Sequence, residues 1–586
     1  MLRDFARIRP YLPRYKGAIA LGMLAIPLSR GLDLAIPWLI GRGVDELERG
    51  DLTWTLRTYF LVLLGLALVK GVFKFAMRWY LVSASRRFEE DFRNDLYRHI
   101  LTLPPSWTQS MRSGDLMARL AWDVEAVRMF VGPGVMYLTE TLFMIPAVFV
   151  LAWYDWGLAL LLLLPLGIIA WTMKHYAEPI HAESMKGQER LSDLSNVAQE
   201  NFAGVRIVRS FATEPHQIDR FERASDDYRA QQLRIARLRG RNWTLMLSAK
   251  DLGMLVLISA GCWRLMAGEV TLGQFWLFVM YLGLLFWPMV ALGWMVGMFQ
   301  RGRASMQRLN AILDTPPAIP DHPDPYRPSE VRGELELRGL TFAYDEQPIL
   351  EGVDLKVPAG SVVGVTGPTG SGKSTLVSTL PRLLDVAPGQ VFVDGVDVVD
   401  WDPTTLRRAI GYVPQEAFLF ADTLRENLAL GRDPVVDGGA DEGDGPLLDA
   451  MRAAHVDREL LELKDGLDSV VGERGVTLSG GQRQRATIAR ALAADPRVLV
   501  FDDCLSAVDA DTDAAILHDL TRAVRGRTAL LVSHRVAALS MADVVLVLDA
   551  GRVVEQGPPA ELLAKRGRFW RLHERQKDEE ELGALD

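Results

Sequence analysis

Apolar residues follow two different patterns along this chain. In the first three hundred residues they form six runs long enough to cross a bilayer, at about 17–40, 57–82, 131–154, 156–176, 243–267 and 272–299. The first run passes about twenty residues without a small-residue cleavage site, which predicts a retained membrane helix rather than a signal peptide. The remainder alternates short apolar strands with helical periods. The pattern predicts a helical membrane domain followed by a soluble α/β domain.

The two long connections between apolar runs are basic and helical in pattern. They cover residues 83–130 and 177–242 and contain few helix breakers. Because structureless loops of that length are unusual, spans two to five are predicted to continue as helices. Gly114 and Asp115 in RSGDLMARL predict a break and an N-cap. Lys and Arg collect on the cytoplasmic side of membrane proteins, so both connections and both termini are predicted to face the cytoplasm from the cell (inner) membrane.

A proline-rich segment separates the two halves of the chain. Six prolines between Pro316 and Pro328 predict a stiff, extended linker. The predicted domains are therefore a membrane domain at 1–315, the linker at 316–331, a nucleotide-binding domain at 332–572 and a charged tail at 573–586. The acidic, glycine-rich stretch 433–446 is predicted to be a solvated loop.

Composition excludes several classes of protein. The net charge of -9 does not suggest a nucleic-acid partner. Two cysteines, Cys262 and Cys504, are too few for a disulfide framework or a four-ligand zinc site. Both are predicted to be small hydrophobic residues of the interior.

A glycine loop between an apolar strand and a helix predicts a phosphate site. In SVVGVTGPTGSGKSTLV, Gly367, Gly372, Lys373 and Ser374 fit the pattern G-x-x-x-x-G-K-[ST]. Backbone N–H groups of such a loop surround phosphate oxygens, the lysine reaches the β and γ phosphates, and the serine hydroxyl binds Mg²⁺. The predicted ATP-binding residues are Gly367, Pro368, Thr369, Gly370, Ser371, Gly372, Lys373, Ser374 and Thr375.

A second element of the same chemistry is the acidic end of an apolar strand. In RVLVFDD, Asp502 suits a water-mediated Mg²⁺ ligand, and Asp503 stands where an activator of the attacking water would be. Together with the glycine loop, this strand predicts a nucleoside triphosphatase that uses ATP and Mg²⁺.

The subclass follows from TLSGGQRQRATIARAL, since LSGGQ is the signature of the ATP-binding-cassette (ABC) family. Over nearly its whole length the chain resembles ABC exporter half-transporters. The resemblance implies six transmembrane helices with long cytoplasmic extensions, fused to an α/β P-loop NTPase (ABC) domain. It also implies an ATP hydrolase coupled to transport. The implied signature residues, which serve the partner's ATP, are Leu478, Ser479, Gly480, Gly481 and Gln482.

Other motifs of that family occur in the expected order. Tyr344 matches the aromatic residue that stacks on adenine, and His534 matches the switch histidine at the γ-phosphate. Gln415 matches the glutamine that joins the Mg²⁺ site to the membrane helices, which makes Ser374, Gln415 and Asp502 the implied metal residues. VGERG at 471–475 matches the loop that touches the cytoplasmic helix ends.

The resemblance also implies a dimer. In such a dimer each ATP lies between one chain's glycine loop and the other chain's signature, and Ser506 and Asp509 in SAVD belong to a loop that crosses the interface. Short coupling helices are implied within RSGDLMARL and VRSFATEPHQ, one resting on its own nucleotide domain and one on the partner's.

Asp503 departs from the family, which has glutamate at this position. The aspartate side chain is one methylene shorter, so the chain's own site is predicted to be slow while its intact LSGGQ completes a competent site in the partner. This asymmetry resembles the degenerate half of heterodimeric exporters. The predicted partner is therefore a non-identical half-transporter that carries the catalytic glutamate. A homodimer with two slow sites is the alternative.

The cargo is the least determined property. Seven ionisable residues stand at apparent membrane depth and are expected either to pair between helices or to line a wet cavity: Arg30, Asp33, Lys70, Lys74, Glu140, Lys250 and Asp251. Met and Trp in span six favour amphipathic small-molecule cargo, with membrane lipids as further partners. The alternatives are a homodimeric lipid flippase or exporter and an ATP-gated channel or regulator. A soluble ABC ATPase is disfavoured by the six spans.

Overall fold

The structure is a computed structural model that describes residues 4–320, 322–344, 347–432, 444–472, 478–504 and 519–583. The chain divides into two compact units. The first comprises Met1–Leu103 and Trp107–Thr315, and the second comprises Pro316–Asp586 together with Pro104–Ser106.

Six long apolar helices make up the first unit in the described part of the chain, as predicted. They are α1 Lys16–Arg49, α2 Leu56–Ile100, α3 Ser113–Tyr154, α4 Trp156–Ala203, α5 Glu214–Met266 and α6 Leu272–Leu313. The smaller helical elements before and between these helices are Ala6–Ile8, Leu12–Tyr15, Pro105–Ser110 and Val205–Ser210. At 1.5 Å per residue, the 53-residue α5 is about 80 Å long, far more than the roughly 30 Å of a bilayer core. The prediction that the apolar spans continue as helices is therefore confirmed.

Local sequence explains where these helices begin. Thr271 and Gln274 form a reciprocal capping box at the start of α6, and the Asp155 carboxylate accepts the Leu158 N–H at the start of α4. The predicted N-cap near Asp115 is wrong. The helical segment begins at Ser113 after Arg112, and Asp115 lies in its first turn, where it pairs with Arg119 at 2.9 Å and complements the helix dipole.

Two π-helical turns interrupt α3, at Arg119–Asp123 and at Phe130–Gly134. The second contains Pro133, which cannot donate a backbone hydrogen bond within the helix. Such turns bulge one residue out of register and occur often at functional sites.

Glycine brings α1 and α6 into backbone contact. A Cβ atom added to Gly41 would lie 2.7 Å from the carbonyl oxygen of Gly273, which is closer than such atoms approach. One turn away, the Asp45 carboxylate accepts the Gly273 N–H at 2.6 Å and the Thr271 hydroxyl at 2.7 Å. The charge of Asp45 thereby caps the N-terminus of the neighbouring helix.

The second unit contains two sheets within its described residues. A four-stranded sheet has the order β2-β1-β4-β5, and a six-stranded sheet has the order β10-β9-β3-β8-β7-β6. The strands are β1 Leu335–Tyr344, β2 Gln347–Val357, β3 Val362–Thr366, β4 Val391–Val393, β5 Val396–Asp397, β6 Ile410–Val413, β7 Val498–Asp502, β8 Thr528–Val532, β9 Val544–Asp549 and β10 Arg552–Gly557. The helices are α7 Lys373–Thr379, α8 Pro403–Ala409, α9 Leu424–Ala429, α10 Gly445–Ala453, α11 Asp457–Leu461, α12 Gly480–Ala493, α13 Val536–Leu539, α14 Pro559–Ala564 and α15 Arg568–Gly583, with a 3₁₀ turn at Gly466–Asp468.

The central strands of the six-stranded sheet run parallel. Their carboxyl ends, which carry candidate site residues, therefore lie at one edge of the sheet. β3, β8, β7 and β6 pair in parallel, and every residue of β7 and of β8 is buried. Strands covered on both faces are apolar throughout, as the sequence of RVLVFDD predicts. Ligands of open α/β sheets bind outside the carboxyl ends of such strands.

Candidate functional site

The glycine loop connects β3 to α7 and is built to bring backbone close to a ligand. Gly367, Gly370 and Gly372 have φ angles of 151°, 82° and 96°, which side chains disfavour. A Cβ atom on Gly367 would lie 2.0 Å from the Leu548 carbonyl oxygen, so no larger residue fits there. The buried Ser371 Oγ has no hydrogen-bond partner among the described residues, as expected of a group that awaits a polar ligand.

Lys373 is almost buried and curls back over the loop. Its Nζ donates to the carbonyl oxygens of Gly367 at 2.9 Å and Pro368 at 3.0 Å. Burial lowers the pKa of Lys373, while the charges of Asp503 and Asp502 raise it. A phosphate in the loop would add negative charge beside the ammonium group and favour its charged form.

Ser374 and Asp502 form the metal half of the site. The Ser374 hydroxyl donates to one carboxylate oxygen of Asp502 at 3.0 Å, and Tyr412 donates to the other at 3.3 Å. Burial raises the pKa of Asp502, so a cation beside it would relieve the cost of its charge. The residues therefore fit Mg²⁺, which takes oxygen ligands from one or two side chains, water and substrate phosphates.

No cluster of three His, Cys, Asp or Glu residues occurs in the part of the chain that the structure describes. Gln415 is exposed and follows β6, whose last residue Val413 pairs with Phe501 of β7. This register places Gln415 at the same sheet edge as Asp502.

Asp503 lies directly after β7 in a left-handed backbone conformation, with φ of 46°. Its N–H donates to the Val532 carbonyl at 3.0 Å, and His534 lies close enough to lower the pKa of the Asp503 carboxyl through its charge and its backbone N–H. Burial raises the pKa of Asp503, opposed by the nearby His534 and Lys373. The structure therefore brings Asp503 and His534, predicted from separate motifs, into contact.

Tyr344 ends β1, where its ring packs edge-on against Phe342 with centroids 5.1 Å apart. The side chain is 43% exposed, which leaves a ring face available for stacking. This geometry is compatible with the adenine-stacking role that the sequence predicts for it.

The signature forms the N-terminus of α12. The Ser479 hydroxyl accepts the Gln482 N–H at 3.2 Å, and the Gln482 side chain accepts the Ser479 N–H at 2.8 Å. Gly480 and Gly481 carry no side chain in the first turn, so the helix presents bare N–H groups and its positive dipole end. Leu478 is buried and anchors the turn.

Several contacts at these sites have no motif in the sequence. Tyr412 donates to Asp502, and Gln482 donates to Glu459 at 3.0 Å. Gln576 of α15 binds the backbone directly after the switch histidine, at the His534 carbonyl and the Val536 N–H. Ser506, Asp509 and residues 473–475 of VGERG lie outside the described residues.

Four of the ionisable residues at membrane depth form one neutral cluster, named here the charge quartet. Arg30 pairs with Asp33 at 2.8 Å and with Glu140 at 2.7 Å, and Lys70 pairs with Asp33 at 2.5 Å. The quartet joins α1, α2 and α3, as expected if such residues pair between helices. Lys74 has no ion pair with any residue that the structure describes.

Comparisons with known proteins identify the family. The family model for the ABC transporter transmembrane region matches residues 19–289, and the ABC transporter model matches residues 350–506. The multidrug resistance-like ATP-binding protein MdlA of Escherichia coli (strain K12) is 34% identical over 579 residues, covering 97% of this chain and 96% of MdlA. This chain belongs to the ABC transporter family.

Further relatives show the exporter architecture. The ATP-dependent lipid A-core flippase of Syntrophus aciditrophicus (strain SB) is 31% identical, covering 98% of this chain and 94% of the flippase. The structure of a bacterial Atm1-family ABC exporter with ATP bound matches with a TM-score of 0.77 and 26% identity, covering 96% of this chain and 98% of that one. The chain is an ABC exporter half-transporter, a multi-pass membrane protein that hydrolyses ATP with Mg²⁺ to drive transport. Half-transporters of this family act as dimers.

Proposed function

We propose that this exporter is the degenerate half of a heterodimer that exports amphipathic or hydrophobic compounds, drug-like molecules or lipids, by alternating access. The observation that carries the proposal is the pairing of an aspartate at position 503 with an intact signature helix. The chain's own glycine loop holds ATP in a slow site. Its LSGGQ completes a fast site on a partner with the catalytic glutamate.

Geometry rather than acidity makes the proposed site slow. Removing one methylene withdraws the carboxylate by about 1.5 Å, the length of a C–C bond. A misplacement of about 1 Å lowers a rate on the order of 10²-fold, or about 2.7 kcal/mol of barrier. The ordinary pKa values of Asp and Glu differ by only about 0.4.

The same reading assigns the remaining residues. Lys373 and the glycine loop bind the phosphates, and Tyr344 stacks on the adenine. Ser374, Gln415 and Asp502 hold Mg²⁺, which screens the charge of the phosphates when it is bound. His534 contacts the γ-phosphate. The domain bounds, the inner-membrane location and the cytoplasmic termini proposed here are those that the sequence predicts.

Cargo is proposed from the membrane half and from the relatives. An apolar cavity of about 580 Å³ lies among α1, α3 and α6 and is lined by tryptophan and tyrosine, including Trp38, Trp153 and Tyr281. Aromatic rings of this kind bind varied amphipathic molecules through their large apolar area. The names of MdlA and of the lipid A-core flippase point to drugs or lipids. A homodimeric lipid flippase is the second candidate, because the lipid A-core flippase relatives match 96–98% of this chain.

The test is ATP hydrolysis by the purified full chain, alone and with its partner. Asp503→Glu is expected to raise hydrolysis at this chain's own site by up to about 10²-fold and to leave the partner's site little changed. Asp495→Glu is the matched control, because Asp495 also has a left-handed backbone, with φ of 49°, but lies at a surface turn. Hydrolysis by the unmodified chain alone at full exporter rates would overturn the heterodimer.

A further inference from the structure

A partly open apolar cavity lies beneath the N-terminal elbow, defined here as residues 5–15. Its volume is about 340 Å³, more than twice the roughly 150 Å³ of a cavity that holds benzene. The elbow covers it from one side, and α1, α2 and α3 line the rest. Within α3, the π-helical turn Phe130–Gly134 supplies part of the wall, so the bulge in that helix helps to open the space.

Every side-chain hydroxyl among the described residues that line the elbow cavity is already hydrogen-bonded. The Tyr11 and Tyr15 hydroxyls donate to Asp95 and Asp91, at 2.8 and 2.5 Å. The Ser85 hydroxyl donates to the Val82 carbonyl of its own helix at 2.8 Å. A polar ligand would lose its hydrogen bonds to water without replacement, so the cavity selects a hydrocarbon chain.

The mouth of the cavity carries the opposite chemistry. Arg9 lines it, is exposed, and makes no side-chain hydrogen bond or ion pair with any described residue. Lys16, exposed at the start of α1, likewise has no such partner among them. Arg9 and Lys16 lie next to the apolar lining, on the side of the membrane where Lys and Arg collect. Anionic lipids on that side attract such cations.

The cavity also lies at the depth of the lipid headgroups. Its lining residues Tyr15 of the elbow and Ile19 of α1 bracket the start of the predicted span at 17. Those in α3 bracket the start of the span at 131, and those in α2 bracket the end of the span at 82. We propose that the elbow cavity binds one acyl chain of an anionic phospholipid from the inner leaflet, with the phosphate against Arg9. This lipid site is separate from the aromatic-lined cavity among α1, α3 and α6 that is proposed to bind cargo.

The experiment measures lipid adducts of the full-length, detergent-purified exporter by native mass spectrometry. Phosphatidylglycerol and phosphatidylcholine with identical chains are titrated in parallel. One phosphatidylglycerol is expected to bind more tightly than phosphatidylcholine. Arg9→Gln should weaken that adduct about fivefold, the effect of one surface arginine. Arg57→Gln is the control, an exposed arginine at the other end of α2 that makes no ion pair with a described residue.

A second variant tests the cavity itself. Ala84 is 5% exposed and lines the wall, so Ala84→Phe should fill the space and remove the tight adduct, with folding checked by gel filtration. Equal binding of the two lipids, or equal losses in Arg9→Gln and Arg57→Gln, would mean non-specific surface lipid and would overturn the proposal. Displacement of phosphatidylglycerol by the cation tetraphenylphosphonium would assign the cavity to cargo instead and overturn it too.

A second inference concerns the ATPase site and rests on a different observation. The Gln576 side chain of α15 accepts the Val536 N–H at 2.9 Å and donates to the His534 carbonyl. His534 in turn lies beside Asp503, the residue at the position of the family's catalytic glutamate. The geometry points to Gln576 as a positioning residue whose side chain clamps the backbone from the His534 carbonyl to the Val536 N–H, directly after the switch histidine.

This second inference deepens the proposed function, since it concerns the same site. Gln576→Glu keeps the acceptor for Val536 but sets a carboxylate against the His534 carbonyl, so it breaks half of the clamp. It should lower kcat several-fold and leave KM for ATP unchanged, because the histidine acts on the γ-phosphate rather than on overall ATP affinity. Arg571→Gln, exposed on the same helix, is the control.

The comparison is made in the wild type and in Asp503→Glu, with ATP-binding sites titrated to correct for unfolded protein. If Gln576→Glu lowers kcat per titrated ATP site in either the wild type or Asp503→Glu, the positioning role of Gln576 is supported. That result does not depend on how Asp503→Glu itself changes the rate. Failure of the heterodimer is therefore distinguishable from failure of the clamp. Unchanged kcat in Gln576→Glu, or an equal loss in Arg571→Gln, would contradict it.

Discussion

Asp33→Asn in the charge quartet should destabilise the membrane domain strongly. Asp33 is 6% exposed and is the one residue that pairs with both cations, Arg30 at 2.8 Å and Lys70 at 2.5 Å. The substitution leaves Arg30 with Glu140 but leaves Lys70 without a counter-ion, so the cluster gains one net positive charge. An unpaired charge at this depth costs free energy, whether it remains in apolar surroundings or draws water into the membrane.

The solvent exposure of the partner side chains determines how much stability the substitution costs. Breaking a buried ion pair costs about 3–5 kcal/mol. Lys70 is 29% exposed on its side chain and can relax toward a polar surface, which places the expected cost near the lower end, about 3 kcal/mol. At 2–4 °C per kcal/mol, the apparent Tm should fall by roughly 6–12 °C.

The assay is gel filtration of the detergent-purified exporter after heating, at one fixed heating time because such unfolding is irreversible. Asp251→Asn is the matched control, because Asp251 is 68% exposed and pairs only with its neighbour Lys250 among the described residues. The double variant Asp33→Asn with Lys70→Gln restores neutrality and should lose less than the sum of the single variants. Equal falls in Asp33→Asn and Asp251→Asn, or strictly additive losses in the double variant, would refute the reasoning.

Three further predictions concern the nucleotide site. Lys373→Ala should weaken binding of ATP at this chain's loop about 10- to 100-fold, the loss of charge-assisted hydrogen bonds, as measured with a fluorescent ATP analogue. Gly367→Ala should reduce binding of the analogue and lower the Tm, because its Cβ would lie 2.0 Å from the Leu548 carbonyl oxygen; wild-type binding would contradict this. Ser479→Ala should cost about 1 kcal/mol of α12 stability and lower hydrolysis at the partner's site, measured in the assembled exporter.

Elements encoded by contiguous residues were predictable. Six apolar runs predict six helices because a segment in lipid must satisfy its own backbone hydrogen bonds. The glycine loop, the acidic strand and LSGGQ predict an ATPase because each motif places its groups by local geometry alone. The capping box in LSGGQ, Ser479 with Gln482, is such a local consequence. Asp115 was misplaced because an aspartate favours both the N-cap and the first turn, and spacing alone does not separate them.

Contacts between distant residues depended on the fold. Tyr412 reaches Asp502 because β6 and β7 pair in parallel, which adjacent sequence does not reveal. Gln576 reaches His534 from a tail that reads as a charged surface helix. The charge quartet unites Arg30, Lys70 and Glu140 only when three helices pack together. The sequence by itself determined which chemistry the chain carries, because motifs are local. Only the tertiary structure decided which charges are paired and which residues position the site, because those free energies arise from packing across the chain.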